Sequence, residues 1–284
     1  MVTKVIRKTF VIRESGRSTD FITPSFGYGC LYNCSYCYMK RHLPVGLTVA
    51  KNINDILTAV NTHSIWLEPK VPNQTDNVYY TYDISCNEDF ALHLKYYNWE
   101  RIFDFFKDND KIKGSFATKT VPITLLGYNS NKKIRIRFSL MPQNVSTIVE
   151  PNTSKIIDRI KAINTFIEAG YEVHINFSPV IVYTDWLQDY ADLFKLVDKY
   201  VHYKKEVKAE VIFLTHNEGK HIYNLKNKIS GEHLLYNPAI QEGKVSQYGG
   251  SNLRYKRQLK TNWIKQFTQL HDSIIQWNTI RYIF

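Results

Sequence analysis

Three cysteines stand close together near the start of the chain, in the segment Gly29 to Tyr38 (GCLYNCSYCY). Cys30, Cys34 and Cys37 follow the spacing C-x3-C-x2-C, and the aromatic residue Tyr36 directly precedes the third cysteine. A short loop can direct three thiolates at one point, whereas a rigid helix or strand of this length cannot. Soft sulfur ligands bind zinc or an iron–sulfur cluster. Three ligands from one loop leave a fourth coordination position open, and an open position is a place for a substrate.

Zinc binding and disulfide formation are the alternatives for these cysteines. Cys86 or His42 would supply the fourth ligand of a closed zinc site. The segment Met1 to Arg17 is basic and mixed, and it has no secretory signal pattern. Without export, a reducing compartment disfavours disulfides, so we expect a cytoplasmic protein. The spacing favours the cluster over zinc.

The composition indicates a globular chain with an anionic partner. Of the 284 residues, 44% are hydrophobic, and no stretch approaches 18 uninterrupted apolar residues, so we expect no membrane span. The balance of 37 basic against 26 acidic residues gives a net charge of +11. Such an excess suits a polyanion such as nucleic acid, because phosphates supply most non-specific affinity. A general bias toward lysine would produce the same charge.

Apolar periodicity predicts strands that alternate with helices along most of the chain. Six strands in this alternation predict an α/β fold with a parallel sheet, as a partial (β/α)6 TIM-like barrel. The predicted strands are Phe21–Phe26, Val78–Ser85, Ser115–Lys119, Lys133–Leu140, Val173–Val182 (broken by Pro179) and Ala209–Leu214. Four helices are predicted between these strands. One starts near Lys51, one spans Trp99–Lys107, one is capped by Thr153 or Ser154 and ends just before Gly170, and one spans Trp186–Tyr203. The segment Thr62–Asn77 is predicted to be a loop.

Residues able to do chemistry fall at or near the ends of these strands. In β/α barrels the active site lies at the carboxyl ends of the strands. The residues at such positions are Cys30, Cys86, Lys119, Ser139 and Ser178. On the fourth predicted strand, Arg135 and Arg137 alternate with apolar residues, which leaves DNA contact and an ion pair inside the barrel both open.

The tail of the chain differs in character from the barrel. Ser246–Lys256 contains a Gly-Gly-Ser-Asn turn, which predicts a β-hairpin, and a helix (Leu259–Ile275) and a closing strand (Thr279–Phe284) follow. Basic residues alternate with tyrosines around this hairpin, as in surfaces that follow a nucleic-acid backbone. We expect an extension at 1–20, a barrel at 21–230 and a C-terminal hairpin, helix and strand at 231–284, all in one compact unit.

Several segments of the sequence resemble the spore photoproduct lyase family of radical S-adenosylmethionine (radical SAM) enzymes. The likeness extends from about Thr23 to the C-terminus, with the segments in the same order and at nearly the same separations. The family repairs 5-thyminyl-5,6-dihydrothymine, which ultraviolet light forms in dry DNA. The matching segments read GCLYNCSYCY, SCNED, FATK, RIRFS, AGYEVHINFSPVIVY, DWLQDYADLF and EVIFLTH.

The resemblance implies a [4Fe-4S] cluster held by the three loop cysteines, with S-adenosylmethionine on the fourth iron. It implies that a 5′-deoxyadenosyl radical takes hydrogen from C6 of the dihydrothymine, after which the bond between the thymines breaks. Cys86 matches the thiol that quenches the resulting thymine radical. Tyr36 and Tyr38 match the pair that relays the radical back to the cofactor.

Further matches concern the cofactor and the DNA. Lys119, Ser139 and Ser178, together with Tyr36, match positions that contact S-adenosylmethionine. In the hairpin, Tyr248 matches an aromatic residue that holds the lesion strand open, and Gln247 and Arg254 are the expected DNA contacts beside it. The resemblance also implies ultraviolet-damaged DNA as partner and an electron donor such as flavodoxin or ferredoxin, with the protein acting as a monomer.

Three features differ from the family pattern. Only 29 residues precede the first loop cysteine, where a family member carries a sizeable region. Asn87 to Asp89 follow the candidate thiol, where small hydroxylated residues are common, and Gln247 stands where an arginine is expected. Two alternatives stay open. One is a radical SAM enzyme acting on another nucleic-acid or peptide substrate, without a need for Cys86, and the other is a non-catalytic zinc module that binds nucleic acid.

Overall fold

The computed structural model describes residues 2–37, 39, 46–245 and 250–284. Fourteen strands and eight α-helices lie in these ranges. The strands are β1 (Val2–Val5), β2 (Arg13–Glu14), β3 (Phe21–Ile22), β4 (Gly27–Tyr28), β5 (Leu47–Ala50), β6 (Tyr80–Asp83), β7 (Ile112–Thr118), β8 (Ile134–Ser139), β9 (Glu172–Val180), β10 (Lys208–Phe213), β11 (Thr215–His216), β12 (Gln241–Val245), β13 (Ser251–Tyr255) and β14 (Thr279–Ile283). The helices are α1 (Ile53–Ile65), α2 (Trp99–Lys107), α3 (Gln143–Val149), α4 (Ile156–Glu168), α5 (Trp186–Tyr200), α6 (Glu218–Lys226), α7 (Glu232–Leu235) and α8 (Arg257–Ile274).

One eight-stranded sheet forms the body of the protein, in the order β14-β10-β9-β8-β7-β6-β3-β2. Seven of its strands are parallel to their neighbours, and only β2 runs antiparallel, against β3. The six predicted strands are β3 and β6 to β10, so the prediction of a partial TIM-like barrel is confirmed. Within the described ranges, no helix has the length and apolar character that a membrane span requires.

Two smaller sheets flank the barrel. The first has the order β1-β5-β4, and the second, β11-β13-β12, contains an antiparallel hairpin. The predicted turn of this hairpin was misplaced, because Ser251 and Asn252 already belong to β13 and pair with Val245 and Lys244. Strand β1 lies in the first small sheet, and β2 lies in the main sheet. The closing strand β14 pairs with β10 of the barrel, so the C-terminal part is built into the main sheet.

Several predicted boundaries were wrong for identifiable reasons. The first strand ends at Ile22 instead of Phe26, because the chain then leaves the barrel to form β4. Helix α1 continues to Ile65, into the segment predicted as loop. Strand β9 continues through Pro179, since its ladder with β10 shifts register there and requires no proline N–H.

The start of α4 was also misplaced. Its N-cap is Lys155, because the hydroxyls of both predicted caps are engaged elsewhere: Ser154 accepts from the Val121 N–H at 3.1 Å and Thr153 donates to Glu150. The side chain of Gln143 instead accepts the first-turn N–H of this helix. The end of the helix is as predicted, with Gly170 at a positive φ of 91°.

Charged side chains fill part of the barrel interior. Arg137 on β8 reaches Asp83 on β6 (2.7 Å) and Glu210 on β10 (3.5 Å). Glu210 also pairs with Arg281 on β14, and Arg281 donates to the Ser18 carbonyl at 2.8 Å, near the opposite edge of the sheet. The sheet must therefore curl to bring these groups together. Of the two roles left open for Arg137, DNA contact and an ion pair inside the barrel, the structure shows the ion pair.

Arg135 also points into the barrel interior, two residues before Arg137 on β8. Its guanidinium lies 2.8 Å from both Asp76 and Glu172, and Lys113 pairs with the same two carboxylates. Charges buried this deeply are tolerated only when each has a partner.

Glu210 provides a test of this interior network. Burial alone would raise its pKa, but Arg137 and Arg281 outweigh burial and lower the pKa to about 2, from 4.5. Because the folded pKa is the lower one, the stabilisation is complete above about pH 4.5 and is lost as the pH falls toward about 2. In urea unfolding, we expect Glu210→Gln to cost about 3–5 kcal/mol at pH 7 and to flatten the decline in stability below pH 4.5.

The matched control is Asp192→Asn, which breaks an exposed pair with Lys195. It should leave both the neutral-pH stability and the acid dependence nearly unchanged. An acid dependence of Glu210→Gln identical to that of the parent chain would contradict the assignment.

Candidate active site

The cysteine loop begins at the end of β4 and is held by residues distant in sequence. Gly29 has a φ of +98° and lies against the Gly46 carbonyl, so a side chain would be both strained and obstructed. Its N–H donates to the Asn87 carbonyl at 3.0 Å. At the tip, the N–H of Ser35 donates to Val149 (2.8 Å) and its hydroxyl to Ser230 (2.6 Å). These bonds fix the loop against three separate segments.

All three loop cysteines line one cavity of about 550 Å³ at the carboxyl ends of the barrel strands. Cys34 is buried, and Cys30 and Cys37 are half-buried. The predicted residues Tyr36, Cys86, Lys119, Ser139 and Ser178 line the same cavity. The strand-end positions chosen from the sequence therefore converge in space.

Without a bound cation, the thiols of Cys30 and Cys34 are protonated. Burial and the charge of Asp89 raise the pKa of Cys30 to about 12. Burial and Glu150 raise the pKa of Cys34 as well. Metal binding has to displace these protons, because thiolates are the ligands.

Tyr36 connects the loop to a buried ion pair. Its hydroxyl donates to Glu150, and Glu150 pairs with Arg159 at 3.1 Å, both fully buried. Burial and the carboxylate charge raise the pKa of Tyr36 well above its ordinary value. The phenol is therefore a neutral hydrogen-bond donor at all physiological pH values.

Lys119 brings a positive charge to the cavity wall. Burial alone would lower its pKa, but Glu150 and Asp89 outweigh this and raise it. Asp89 also accepts from the Lys119 N–H (2.9 Å) and the Thr118 hydroxyl (2.8 Å). The lysine thus stays charged and fixed at the end of β7.

The residues after Cys86 that differ from the family pattern have structural contacts here. Asn87 donates to Ser25 at 2.5 Å, and Asp89 holds the end of β7 as described above. Glu88 accepts from Tyr97 (2.5 Å) and lies 3.2 Å from His93. These side chains brace the turn that presents Cys86.

Arg13 contacts the candidate thiol and was missed by the sequence analysis. Its Nη2 lies 3.6 Å from Cys86 Sγ, at hydrogen-bonding distance for sulfur. Arg13 belongs to β2, at the sheet edge, where no spacing pattern marks it. The donor approaches the sulfur lone pair and therefore restricts the orientation of the thiol.

Asn176 was missed as well, although a signal for it existed. It precedes Ser178 by two residues on β9, and side chains two apart on a strand share a face. Asn176 Oδ1, Ser139 Oγ and Arg137 Nε are buried without a hydrogen-bond partner in the described part of the chain. All three residues line the cavity, so a polar ligand would satisfy them.

The expected DNA contacts are placed only in part. Tyr38, Gln247 and Tyr248 lie outside the described residues. Arg254 is on β13, outside the cavity, and pairs with Glu242 at 2.9 Å. Its assignment remains a prediction.

Comparison with known proteins identifies the family. The family model for spore photoproduct lyase matches residues 1–284. The chain belongs to the spore photoproduct lyase family. Family membership confirms the resemblance stated from the sequence segments, and family members are radical SAM lyases.

Individual relatives agree with this assignment. The chain is 29% identical over 199 residues to a spore photoproduct lyase from Bacillus subtilis (strain 168), covering 68% of this chain and 55% of the relative. It is 28% identical over 213 residues to one from Clostridium acetobutylicum (strain ATCC 824), covering 69% and 59%. The chain thus spans less than two thirds of the length of these curated relatives.

Solved structures show the same fold. A spore photoproduct lyase complexed with dinucleoside spore photoproduct matches with a TM-score of 0.88 at 19% identity, covering all of this chain and 82% of that one. A mutant with bound AdoMet and dinucleoside spore photoproduct matches with the same TM-score at 18% identity and the same coverage. At these identities the likeness establishes the architecture.

The bond from Tyr36 to Glu150 can be tested apart from any catalysis. A hydrogen bond to a buried charged group contributes about 1.5–3 kcal/mol. Tyr36→Phe should lower the free energy of unfolding of the cluster-free chain by an amount at the low end of this range, because Glu150 keeps Arg159. Chemical denaturation followed by circular dichroism measures the change.

The control is Tyr203→Phe, which removes a phenol-to-carboxylate bond to Glu168 at the surface. It should alter stability little. Equal losses in the free energy of unfolding for the two substitutions would show that the buried bond contributes no more than the surface bond.

Proposed function

We propose that this chain is a radical SAM lyase that reverses the spore photoproduct in DNA to two thymines. The observation that carries the proposal is a separate thiol, Cys86, in the same cavity as the three loop cysteines. A radical SAM enzyme that acts on another substrate would not need this thiol. Family relatives crystallised with the dinucleoside lesion support the substrate.

The cavity suits the cofactors that the family implies. Cys30, Cys34 and Cys37 would hold the [4Fe-4S] cluster. Lys119 would pair with the carboxylate of S-adenosylmethionine, and the unpartnered atoms of Ser139 and Asn176, with Ser178 and the Tyr36 ring, would contact its other groups. When bound and reduced, the cluster would supply the electron that splits S-adenosylmethionine into methionine and a 5′-deoxyadenosyl radical.

Cys86 would act as the hydrogen-atom donor. Its S–H bond breaks homolytically, a C–H bond forms on the thymine radical, and a thiyl radical remains on the sulfur. Arg13, whose guanidinium contacts the sulfur, would keep the thiol directed into the cavity. It is a positioning residue, since it acts through Cys86.

The return of hydrogen to the thiyl radical is assigned to Tyr36 and Tyr38. The hydroxyl of Tyr36 is committed to Glu150, so direct donation from it requires that this bond break first. Tyr38, outside the described residues, would then be the direct hydrogen-atom donor to the thiyl radical. The pair would pass the radical back toward the cofactor.

A cluster of cations beside the cavity mouth supports DNA binding. Arg17 Cζ and Lys260 Nζ each lie 4.4 Å from the centroid of the Phe284 ring, and Lys244 Nζ lies 5.1 Å from it. Burial, with the charges of Lys244 and Arg254, lowers the pKa of Lys260 to about 8. These cations repel one another, and a DNA phosphate among them would relieve the repulsion.

The lesion has to leave the base stack to enter the cavity, and unstacking costs less free energy at a damaged base step. Arg17 and Phe284 belong to the cation cluster and also line the active-site cavity. The cation cluster would hold the DNA backbone beside the extruded bases, with Tyr248 and Gln247 of the hairpin as further contacts.

We also propose that an electron donor such as flavodoxin or ferredoxin reduces the iron–sulfur cluster, and that the protein acts as a monomer.

Anaerobic turnover tests the reaction. The reconstituted chain, dithionite, S-adenosylmethionine and an oligonucleotide carrying the spore photoproduct should yield thymidylyl-thymidine with little net loss of S-adenosylmethionine. Cys86→Ala should still attack the lesion but yield misquenched adducts, as read by mass-resolved chromatography.

Two outcomes would contradict parts of the proposal. Accumulation of 5′-deoxyadenosine with an intact lesion would keep the radical chemistry and refute the substrate, and would point to another nucleic acid or a peptide. Normal repair by Cys86→Ala would refute the donor role.

Salt-dependent binding tests the cation cluster. Lys260→Ala and Lys244→Ala should each weaken binding to damaged duplex and reduce the slope of log affinity against log salt by about 1, as expected for one lost phosphate contact. Lys195→Ala, a surface lysine on α5, is the control and should change neither quantity. An unchanged slope in both cluster variants would rule out the phosphate contact.

A further inference from the structure

A second group of ligand-type side chains lies outside the active-site cavity. His216 Nε2, His221 Nδ1 and one oxygen of Glu232 all lie within 4.8 Å of one another. Glu232 Oε1 is 2.9 Å from the His216 nitrogen and 2.6 Å from the His221 nitrogen. The three residues come from β11, α6 and the start of α7, so the arrangement depends on the tertiary fold.

The group is largely shielded from water. The side chain of His216 is fully buried, that of Glu232 is 8% exposed and that of His221 is 18% exposed. His221 stacks on Tyr236, with ring centroids 3.6 Å apart, which fixes the plane of its imidazole. A metal bound here would have one side open to solvent, next to His221.

Hydrogen bonds hold the Glu232 carboxylate in place. His216 and His221 both contact its Oε1 atom, and the Asn224 side-chain amide donates to its Oε2 atom. The two histidines therefore converge on one carboxylate oxygen.

Two buried polar atoms beside the group also have no hydrogen-bond partner in the described residues. They are His216 Nδ1 and Asn224 Oδ1. Native proteins rarely leave such atoms unpaired, and an ion with its bound water is one way to satisfy them.

We propose that His216, His221 and Glu232 form a mononuclear site for a divalent transition-metal ion, preferentially Zn²⁺. Two imidazoles and one carboxylate are a ligand set that zinc uses, with water in the fourth, open position. Calcium and magnesium prefer sites made of oxygen ligands. The site is distinct from the cysteine loop, and it does not rest on the proposed lyase activity.

The position of the site suggests its role. Asn224 donates to the Glu232 carboxylate and also to the Ser35 carbonyl (2.9 Å), at the tip of the cysteine loop. His216 pairs through its backbone with Leu253 of the hairpin. The ion would therefore tie the hairpin sheet to the back of the cysteine loop, as a structural metal.

Metal content of the cluster-loaded chain tests the proposal. After incubation with zinc chloride and dialysis, we expect about one zinc per chain, beside about four irons. His221→Gln, which removes the most exposed ligand, should lose the zinc. His233→Gln, an exposed histidine on α7, is the matched control and should retain it.

Zinc-edge X-ray absorption separates this site from the cysteines in the same sample. We expect nitrogen and oxygen ligands near about 2.0 Å and no sulfur near about 2.3 Å. Zinc should also raise the unfolding temperature of the chelator-treated parent chain but not that of His221→Gln. Should His221→Gln fail to fold, Glu232→Gln serves as the second variant.

Three results would overturn the proposal: no zinc retained by the parent chain, equal zinc in the parent and the folded ligand variant, or a zinc–sulfur shell. None of these readouts depends on lesion repair. An inactive lyase that binds zinc through the histidines, or an active lyase without zinc, would be recognised as such.

Discussion

Buried charge inside the curled sheet is the constraint on which the rest of the structure depends. Parallel sheets covered by helices ordinarily carry apolar side chains on both faces. Here Arg137, Glu210 and Arg281 occupy the inner face, and the Glu210 carboxylate compensates both arginines. Loss of one member would leave a buried charge unpaired, so strands from both halves of the sheet are held at one curvature. Arg137 also lines the active-site cavity, whose floor is thereby part of this network.

The cavity above this floor combines three kinds of surface. The thiol loop, the lysine at the end of β7 and the polar ends of β8 and β9 each supply a different chemistry. Their common position follows from parallel strands, whose carboxyl ends meet at one side of the barrel. The bracing residues are different in kind. Glu150 and Asp89 make several bonds each to backbone and side chains, so they keep the reactive groups in place without being reactive themselves.

The sequence predicted most accurately the elements whose bounds are set by neighbouring residues. The helix Trp99–Lys107 was predicted to the residue, since its apolar spacing and its Asn98 cap are local. Cys86 and Lys119 were predicted to lie near the cysteine loop and line the same cavity, because strand ends in a parallel barrel share one side. Arg13 was not found, because its partner Cys86 lies 73 residues further along the chain. The group around Glu232 was not found, because its histidines lie 16 and 11 residues before it, on other elements, at a spacing that matches no motif. The α4 cap was missed because Gln143 supplies it from another helix.

The anchoring of the cysteine loop has a consequence for biosynthesis. Ser35 bonds to Ser230, 195 residues later in the chain. At translation rates of about 5–20 residues per second, the cysteines leave the ribosome about 10–40 s before that partner is made. The loop reaches its final form only once the C-terminal half has been synthesised and folded. Insertion of the proposed cluster would therefore be a late event, and the nascent thiols pass through an interval in which oxidation or another metal ion can reach them first.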